Sequence, residues 1–584
     1  MSGFELFFVE KITAIILALV TLFNLISGGG KTVETVAQVN GSLVCTDALG
    51  RSVVSAGESE KLVGVFYFLW HSQHGSSRII DNTKLVKENP YAINSEEEWL
   101  AAGGGQQQEF HFWGEPLLGY YSANDDWVFR KHVQMLTDAA VDFIVIDTTN
   151  AFTYSEQAKK LIGVWYEYML QGWSVPRIAY YTNSASGDTM NRIYDEIYNN
   201  AELKAKYPRI DELWFELDGK PMIIGDVSDA ALRKDVKAYF RIKANQWPNE
   251  SKKSDGFPWM EFDRSLTYKA VFKKDGVSIM NVSVAQHSDT CAFGKTAWYG
   301  ANDRTRSWHD GANDTSENAM LYGYNFAEQW EFAIKMNPDI IFVTGFNEWV
   351  AQRQLPEENY PIIFVDCADE NTSRDVEPSA GVLGDNYYLQ MVNYIAEFKK
   401  STAKVEKGED VAINIDSSFD QWDNEKITAV YKDYINDTAD RNSVDFAKNV
   451  ITDTSGRNDI VNMKVAKDSN NYYFYVDTAE NLTAPTDRNW MTLFVNELYV
   501  VNRTSPENGK TAVEVVTDSG YERIAEADIR FEDNKMMIKI SKADVDFGES
   551  LDFKWADNYV DNDVYSFYTK GDSAPYGRLC YRYQ

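Results

Sequence analysis

Pro338-Asp339-Ile340-Ile341-Phe342-Val343-Thr344-Gly345-Phe346-Asn347-Glu348-Trp349 is the stretch that decides the fold of this 584-residue chain. Phe326, Trp330, Ala333 and Ile334 precede it at the spacing of one apolar helical face. Pro338 ends that helix, and Ile340 to Val343 form an unbroken, largely β-branched run. Such a run suits a strand covered on both faces, as in a parallel sheet walled by helices. At its C-terminal end the chemistry changes to Asn347, Glu348 and Trp349: an amide, a carboxylate and an indole. In a (β/α)-barrel that end of a strand carries the active site. The structural alternative pairs Glu348 with Arg353 and simply packs Trp349.

The same pattern recurs outward in both directions. Val63 to Trp70 is a first buried strand ending in His71 and His74. Phe143 to Ile146 ends in Asp147, Arg177 to Tyr181 in Asn183, and Pro221 to Ile224 in Asp226. Phe257 to Phe262 is the fifth candidate, and Val277 to Ala285, ending in His287, the sixth. The opening stretch is then the seventh and Ile362 to Asp366 the eighth. Amphipathic stripes separate them: Leu161, Val164, Trp165, Tyr168 and Met169; Met190, Ile193, Tyr194 and Ile197; a helix around 230–242; and a closing helix with Tyr388, Met391, Val392 and Ile395. Residues 61–400 are therefore expected to form an α/β (β/α)8 barrel, with an open doubly wound sheet as the alternative.

Polar residues collect at one end of these strands, and this is where function is expected. Glycosidic cleavage needs two carboxyl groups flanking an oxocarbenium-like transition state. Glu348 is the first candidate, with Asp147 or Asp226 as partner and Asp289 and Glu115 in reserve. For each Asp the competing role is an N-cap of the following helix. His71, His74, Tyr120, Tyr121, Asn183, His287, Trp298, His309, Asn347, Trp349 and Arg353 are candidates for binding sugar hydroxyls and faces. The histidines lack His-x-His or His-Glu-x-x-His spacing, so no catalytic metal is expected; a metal-dependent hydrolase using rim His and Asp stays as an alternative, as does a non-catalytic glycan-binding protein.

Composition narrows the partners. The 34 Tyr and 16 Trp suit a cleft that stacks on sugars, and a net charge of -31 excludes nucleic acid and anionic membrane surfaces as partners. Ile12 to Ile26, after Lys11, is a mostly apolar run followed by Ser27-Gly28-Gly29-Gly30; residues 1–30 read as a signal peptide or N-terminal anchor, and the protein as a secreted or cell-surface monomer. The four cysteines are far apart and read as free thiols. Residues 31–60 read as a spacer and 401–410 as a charged linker. Past the linker the periodicity switches to two, in Tyr472–Val476, Met491–Val495 and Met536–Ile540, so 411–584 are expected to fold independently as a β-sandwich. Asp433, Asp437 and Asp440 offer oxygen ligands for a structural calcium there.

Asn347-Glu348-Trp349, together with Pro116-Leu117-Leu118-Gly119-Tyr120-Tyr121 and Val141-Asp142-Phe143, resembles glycoside hydrolase family 99 and the related family 71-like barrels. The resemblance covers 61–400 and implies endo-acting glycosidase chemistry. In that family a second carboxylate follows three positions after the first; here that position is Ala351, so only Glu348 carries over. The C-terminal part resembles family 9-like carbohydrate-binding modules, through Ile415-Asp416, Trp422, Tyr431-Lys432-Asp433 and Phe553-Lys554-Trp555-Ala556-Asp557-Asn558. Trp422, Trp490 and Trp555 are its candidate stacking platforms.

Overall fold

In the computed structural model, residues 42–71, 78–300 and 303–584 are described. The first sheet has eight parallel strands, Leu62–Tyr67 (β1), Phe143–Thr148 (β2), Arg177–Thr182 (β3), Lys220–Ile224 (β4), Arg241–Gln246 (β5), Gly256–Pro258 (β6), Val277–Ser283 (β7) and Ile340–Thr344 (β8), with the short antiparallel Glu216–Leu217 and Phe272–Lys274 added to β4 and β7. Their order follows the chain, and β8 pairs with β1 in register Ile341↔Val63. Alternate residues explain the unbroken apolar runs. Phe66 meets Phe68, Tyr181 and Phe342 inside the ring of strands, while Tyr67 packs outward on Trp165 and His132 of the covering helices. The covering helices include Asp126–Asp138 (α1), Ser155–Leu170 (α2), Ser186–Ile193 (α3), Lys234–Tyr239 (α4), Tyr324–Met336 (α5) and Asn386–Lys399 (α6).

The sheet is nearly closed. Between β6 and β7 side chains replace the backbone ladder. Asn281 Nδ2 donates to Trp259 O (3.2 Å) and to Thr344 Oγ1 (2.8 Å), and the Glu261 N–H donates to Ser283 Oγ (2.9 Å). A barrel-type parallel sheet is thus present, with three differences from the expected strand count. The fifth strand is Arg241–Gln246, and 256–258 is a short sixth. The opening stretch becomes the eighth strand rather than the seventh. The expected eighth forms only Phe364–Val365, paired antiparallel with Lys295–Thr296 outside the barrel. β5 escapes a hydropathy reading because most of its buried residues are polar: Lys243, Asn245 and Gln246 are buried beside Ile242, and Lys243 pairs with Asp255.

The C-terminal part is one continuous antiparallel sheet, beside a separate hairpin of Arg441–Val444 and Val450–Asp453. It curls until Tyr431, near one end, lies 5.0 Å from Tyr581 and 4.9 Å from Phe553. Two of its strands come from the other end of the chain: Leu43–Thr46 pairs with Cys580–Tyr583, and Ser52–Val54 extends it. The expected spacer is therefore structured from residue 42 onward, because Leu43, Val44, Cys45 and Val53 all find buried places; residues 31–41 lie outside the described residues, as does the apolar run Ile12–Ile26. The charged linker is also pinned, with Ser42 N donating to Lys404 O (3.2 Å). Trp422, Trp490 and Trp555 are core residues, not platforms: each is almost fully buried. All four cysteines are buried free thiols. Among the described residues no helix is long and apolar enough to cross a membrane.

Barrel and C-terminal sheet share an interface within the unit Val39–Gln584. Tyr434 stacks on Trp173 at 4.0 Å, and Arg441 pairs with Asp125 (2.8 Å) while donating to Leu118 O (3.0 Å). Arg578 pairs with Asp385 at 2.8 Å. Residues 411–584 therefore pack against the barrel through these contacts.

Candidate active site

The extension of β8 is held by its amide and its indole. Asn347 clamps β1, its Oδ1 accepting from Phe68 N (2.8 Å) and its Nδ2 donating to Phe68 O (3.1 Å). Trp349 stacks on Trp113 at 4.2 Å and donates Nε1–H to Glu377. Glu377 also accepts from Tyr121 OH (2.7 Å) and is hydrogen-bonded to His132 Nε2 (3.0 Å). Glu348 lies between these two anchors. Its N–H donates to Asp375 Oδ1 (2.6 Å), and its carbonyl accepts from Trp113 Nε1 (2.9 Å). Asn347 and Trp349 are buried, so they orient Glu348 rather than touch a sugar.

The Glu348 carboxyl is 4% exposed and faces other acids. Arg374 Nη2 lies 2.8 Å from Asp366 Oδ1 and 3.7 Å from Glu348 Oε2. Burial, and then the charge of Asp366, push the Glu348 carboxyl well above the ordinary range, against the opposing pull of Arg374. Asp147 is pushed to about 6 by burial, although the Thr149 N–H (3.0 Å) and hydroxyl favour its charged form. Asp366 is also raised by burial, with Arg374 and His287 opposing. Asp375 rises to about 6, again through burial. Glu348 and Asp366 thus share the Arg374 guanidinium, and the charge of Asp366 disfavours ionisation of Glu348. The arrangement can present a neutral acid beside a carboxylate whose charge is paired.

Aromatic rings wall this region. Trp247 and Trp259 lie 4.6 Å apart, edge to face, with Phe293 6.3 Å from Trp259. The Arg374 guanidinium sits 5.4 Å from the Trp259 ring. Trp247 Nε1 donates to Asn183 Oδ1 (3.0 Å), and His287 Nδ1 is hydrogen-bonded to Glu261.

Parallel topology puts His71, Asp147, Asn183, Asp226, His287 and Glu348 past the same ends of their strands, but only some share the acidic centre. Glu348 and Asp147 do, and His287 faces Asp366. Asp226 does not: it is exposed, and its carboxylate accepts from Ser228 N (2.8 Å) and Ser228 Oγ (2.6 Å), as a turn residue does. His71 is fully buried against Tyr121, and burial lowers its pKa to about 3. Tyr121 is buried as well, and Tyr120 OH donates to Asp81 (2.8 Å). Trp298 packs on Trp99 and Phe364, and Arg353 is fully buried, paired with Glu96 rather than Glu348. His309 sits on the hairpin 308–313, between Asp310 and Asp314. Glu115 pairs with Lys84, and Asp289 with Arg264. These histidines stand apart rather than converge; His74 lies outside the described residues.

Asp366, Arg374, Asp375 and Glu377 are the residues that sequence reasoning missed. All lie in the segment 366–377 between β8 and α6, whose sequence has no apolar periodicity to mark it as buried. The one signal was Asp366 ending an apolar run.

No family model matches the chain, and no curated protein does. Among solved structures, two of an endo-alpha-mannosidase of glycoside hydrolase family 99 from Bacteroides thetaiotaomicron are similar to it. One, in complex with bis-tris-propane, is 15% identical with a TM-score of 0.35, covering 59% of this chain and 98% of that one. The other is 15% identical with a TM-score of 0.33, covering 58% and 97%. At this distance no residue role is transferred from them.

Proposed function

We propose that the chain is a glycoside hydrolase that acts at the barrel mouth, with Glu348 as proton donor and Asp366 as its ionised partner. The observation that carries this reading is the pairing of Arg374 with Asp366 beside the buried, charge-disfavoured Glu348 carboxyl. A neutral Glu348 delivers its proton to the glycosidic oxygen as the C–O bond breaks. The Asp366 carboxylate, steadied by Arg374, either takes a proton from the water that attacks the anomeric carbon, or forms a glycosyl ester that water then cleaves with Glu348 as base. Glu348 regains its proton from that water or from solvent. Asp147 is the next carboxyl in reach, and its place near neutrality suits proton exchange with water or a sugar hydroxyl. Trp247 and Phe293 supply stacking faces, backed by the buried Trp259, and Asn183 and His287 supply hydrogen bonds. The substrate is a glycan, and the apolar run Ile12–Ile26 with the acidic composition supports action outside the cell.

The test is Glu348→Gln, assayed on a panel of glycans with product analysis. The exchange keeps volume and removes proton transfer, so kcat should fall by at least ~10²-fold with KM little changed. Retention of activity within a few-fold would overturn the assignment. Ala351, where the resembled family has its second carboxylate, favours a second reading as a glycan-binding protein without turnover. Binding of a glycan by the wild type with no cleavage across the panel would decide for it.

A further inference from the structure

The loop after the strand Val430–Lys432 carries Asp433 and Asp437, and the structure brings Asp572 to them from near the other end of the C-terminal part. One carboxylate oxygen from each lies within 4.8 Å of the other two. The three residues are 3%, 1% and 2% exposed. Both carboxylate oxygens of Asp433, both of Asp437 and Oδ1 of Asp572 are buried without a hydrogen-bond partner. Only Asp572 Oδ2 is satisfied, accepting from Ile460 N (2.7 Å). Asp459, whose charge acts on Asp572, has a buried Oδ1 in the same condition.

Cationic charge close by is scarce. Lys131 of α1 lies 3.6 Å from Asp437 Oδ2 and donates to the Asp437 carbonyl (3.0 Å). The buried Lys554 ammonium is given to Pro575 O. Buried carboxylates without paired charge cost several kcal/mol each. Protonation alone does not resolve this, because a neutral carboxyl still carries an O–H that needs an acceptor. Asp433 offers no such contact through either oxygen. A dication answers both needs, since it pairs with the charge and takes the lone pairs of the unmatched oxygens.

We propose that Asp433, Asp437 and Asp572 form a calcium site inside the C-terminal part, joining the loop after Val430–Lys432 to the strand Asp572–Ala574 beside α1 of the barrel. The donor set is all carboxylate oxygen, with no His or Cys, which selects a hard cation. Two oxygens bound at ~2.4 Å from one calcium stand up to ~4.8 Å apart, so three oxygens all within 4.8 Å of one another can share one ion. Magnesium keeps several waters and binds through one or two carboxylates, a poorer match to three carboxylates buried from water. Asp440, the third oxygen ligand expected from the sequence, is exposed, and Asp572 takes its place. The site also has a route to the barrel mouth. Lys131, beside Asp437, is followed in α1 by His132, which is hydrogen-bonded to the Glu377 that holds Trp349.

The full-length protein, stripped with chelator, is titrated with calcium chloride alone and magnesium chloride alone, following binding by isothermal calorimetry and unfolding by scanning calorimetry. The site requires one strongly bound calcium lost in both Asp433→Asn and Asp572→Asn, a Tm several degrees higher with calcium, and a full response in Asp440→Asn. Since either Asp variant alone can misfold, the wild-type titration stands as an independent arm. No calcium binding by the wild type, or a calcium response retained in Asp433→Asn and Asp572→Asn, overturns the site. A magnesium response equal to that of calcium overturns the choice of ion.

Discussion

Glu348, Asp366, Asp147 and Arg374 form a charge-balance problem with one guanidinium among several acids, and its solution predicts the pH behaviour. Activity requires Asp366 ionised and Glu348 protonated, so kcat/KM should follow a bell whose acid limb belongs to Asp366 and whose alkaline limb belongs to Glu348. Asp366→Asn should lower kcat by at least ~10²-fold and abolish the acid limb, whereas Asp226→Asn should leave both rate and profile within a few-fold of wild type. A rate–pH series on the three proteins checks this. Asp147 adds a stability prediction. Its folded pKa of about 6 lies above the ordinary carboxylate value, so the folded state holds the proton more tightly than the unfolded one. Stability from this group is full below about pH 4 and is lost as pH rises to about 6. Asp147→Asn removes that loss, and should be more stable than wild type above pH 6 by up to ~3 kcal/mol. The difference should narrow toward pH 4, as read by urea melts at both ends.

At the scale of the element, the β8 extension works because its neighbours are spent on position. Asn347 satisfies both the N–H and the carbonyl of Phe68, joining the first and last strands where the barrel closes. Asn347→Ala leaves that buried N–H unmatched, at a cost of ~1–3 kcal/mol. It should lower Tm and also reduce kcat, since Glu348 is the next residue. Asn347→Asp, which still accepts from Phe68 N, should recover part of the Tm; a Tm unchanged in Asn347→Ala would show that the clamp contributes nothing. The misplaced fifth strand belongs to this scale too. Arg241–Gln246 is polar because its buried positions carry Lys243, Asn245 and Gln246, and Lys243 is matched by Asp255 across the β5–β6 turn. Apolar periodicity cannot report a strand whose burial is balanced by ion pairing.

Across the whole molecule, the C-terminal sheet takes strands from both ends of the chain. A fragment 411–584 lacks Leu43–Thr46 and Ser52–Val54, and it exposes the edge strand Cys580–Tyr583 together with Arg441, Tyr434 and Arg578 from the interface. We predict that this fragment melts without cooperativity, whereas residues 42–584 melt cooperatively. Scanning calorimetry on the two proteins distinguishes them, and a sharp fragment transition would show that the interface ion pairs are dispensable.

Parallel strands with apolar faces, the switch to period-two strands after residue 410 and the place of Glu348 beyond a strand end were legible in the sequence. Each depends on residues close together in the chain, whose periodicity reports burial directly. Which acids meet was not legible. Asp366 reaches Glu348 through the loop 366–377, Asp572 reaches Asp433 across 139 residues, and Arg353 turns from Glu348 to Glu96. Trp349, Trp422 and Trp555 carry the same indole whether they stack on a sugar or fill a core. Proton affinity, ion pairing and the exposure of a ring depend on distances between segments remote in sequence, and only the tertiary structure sets those distances.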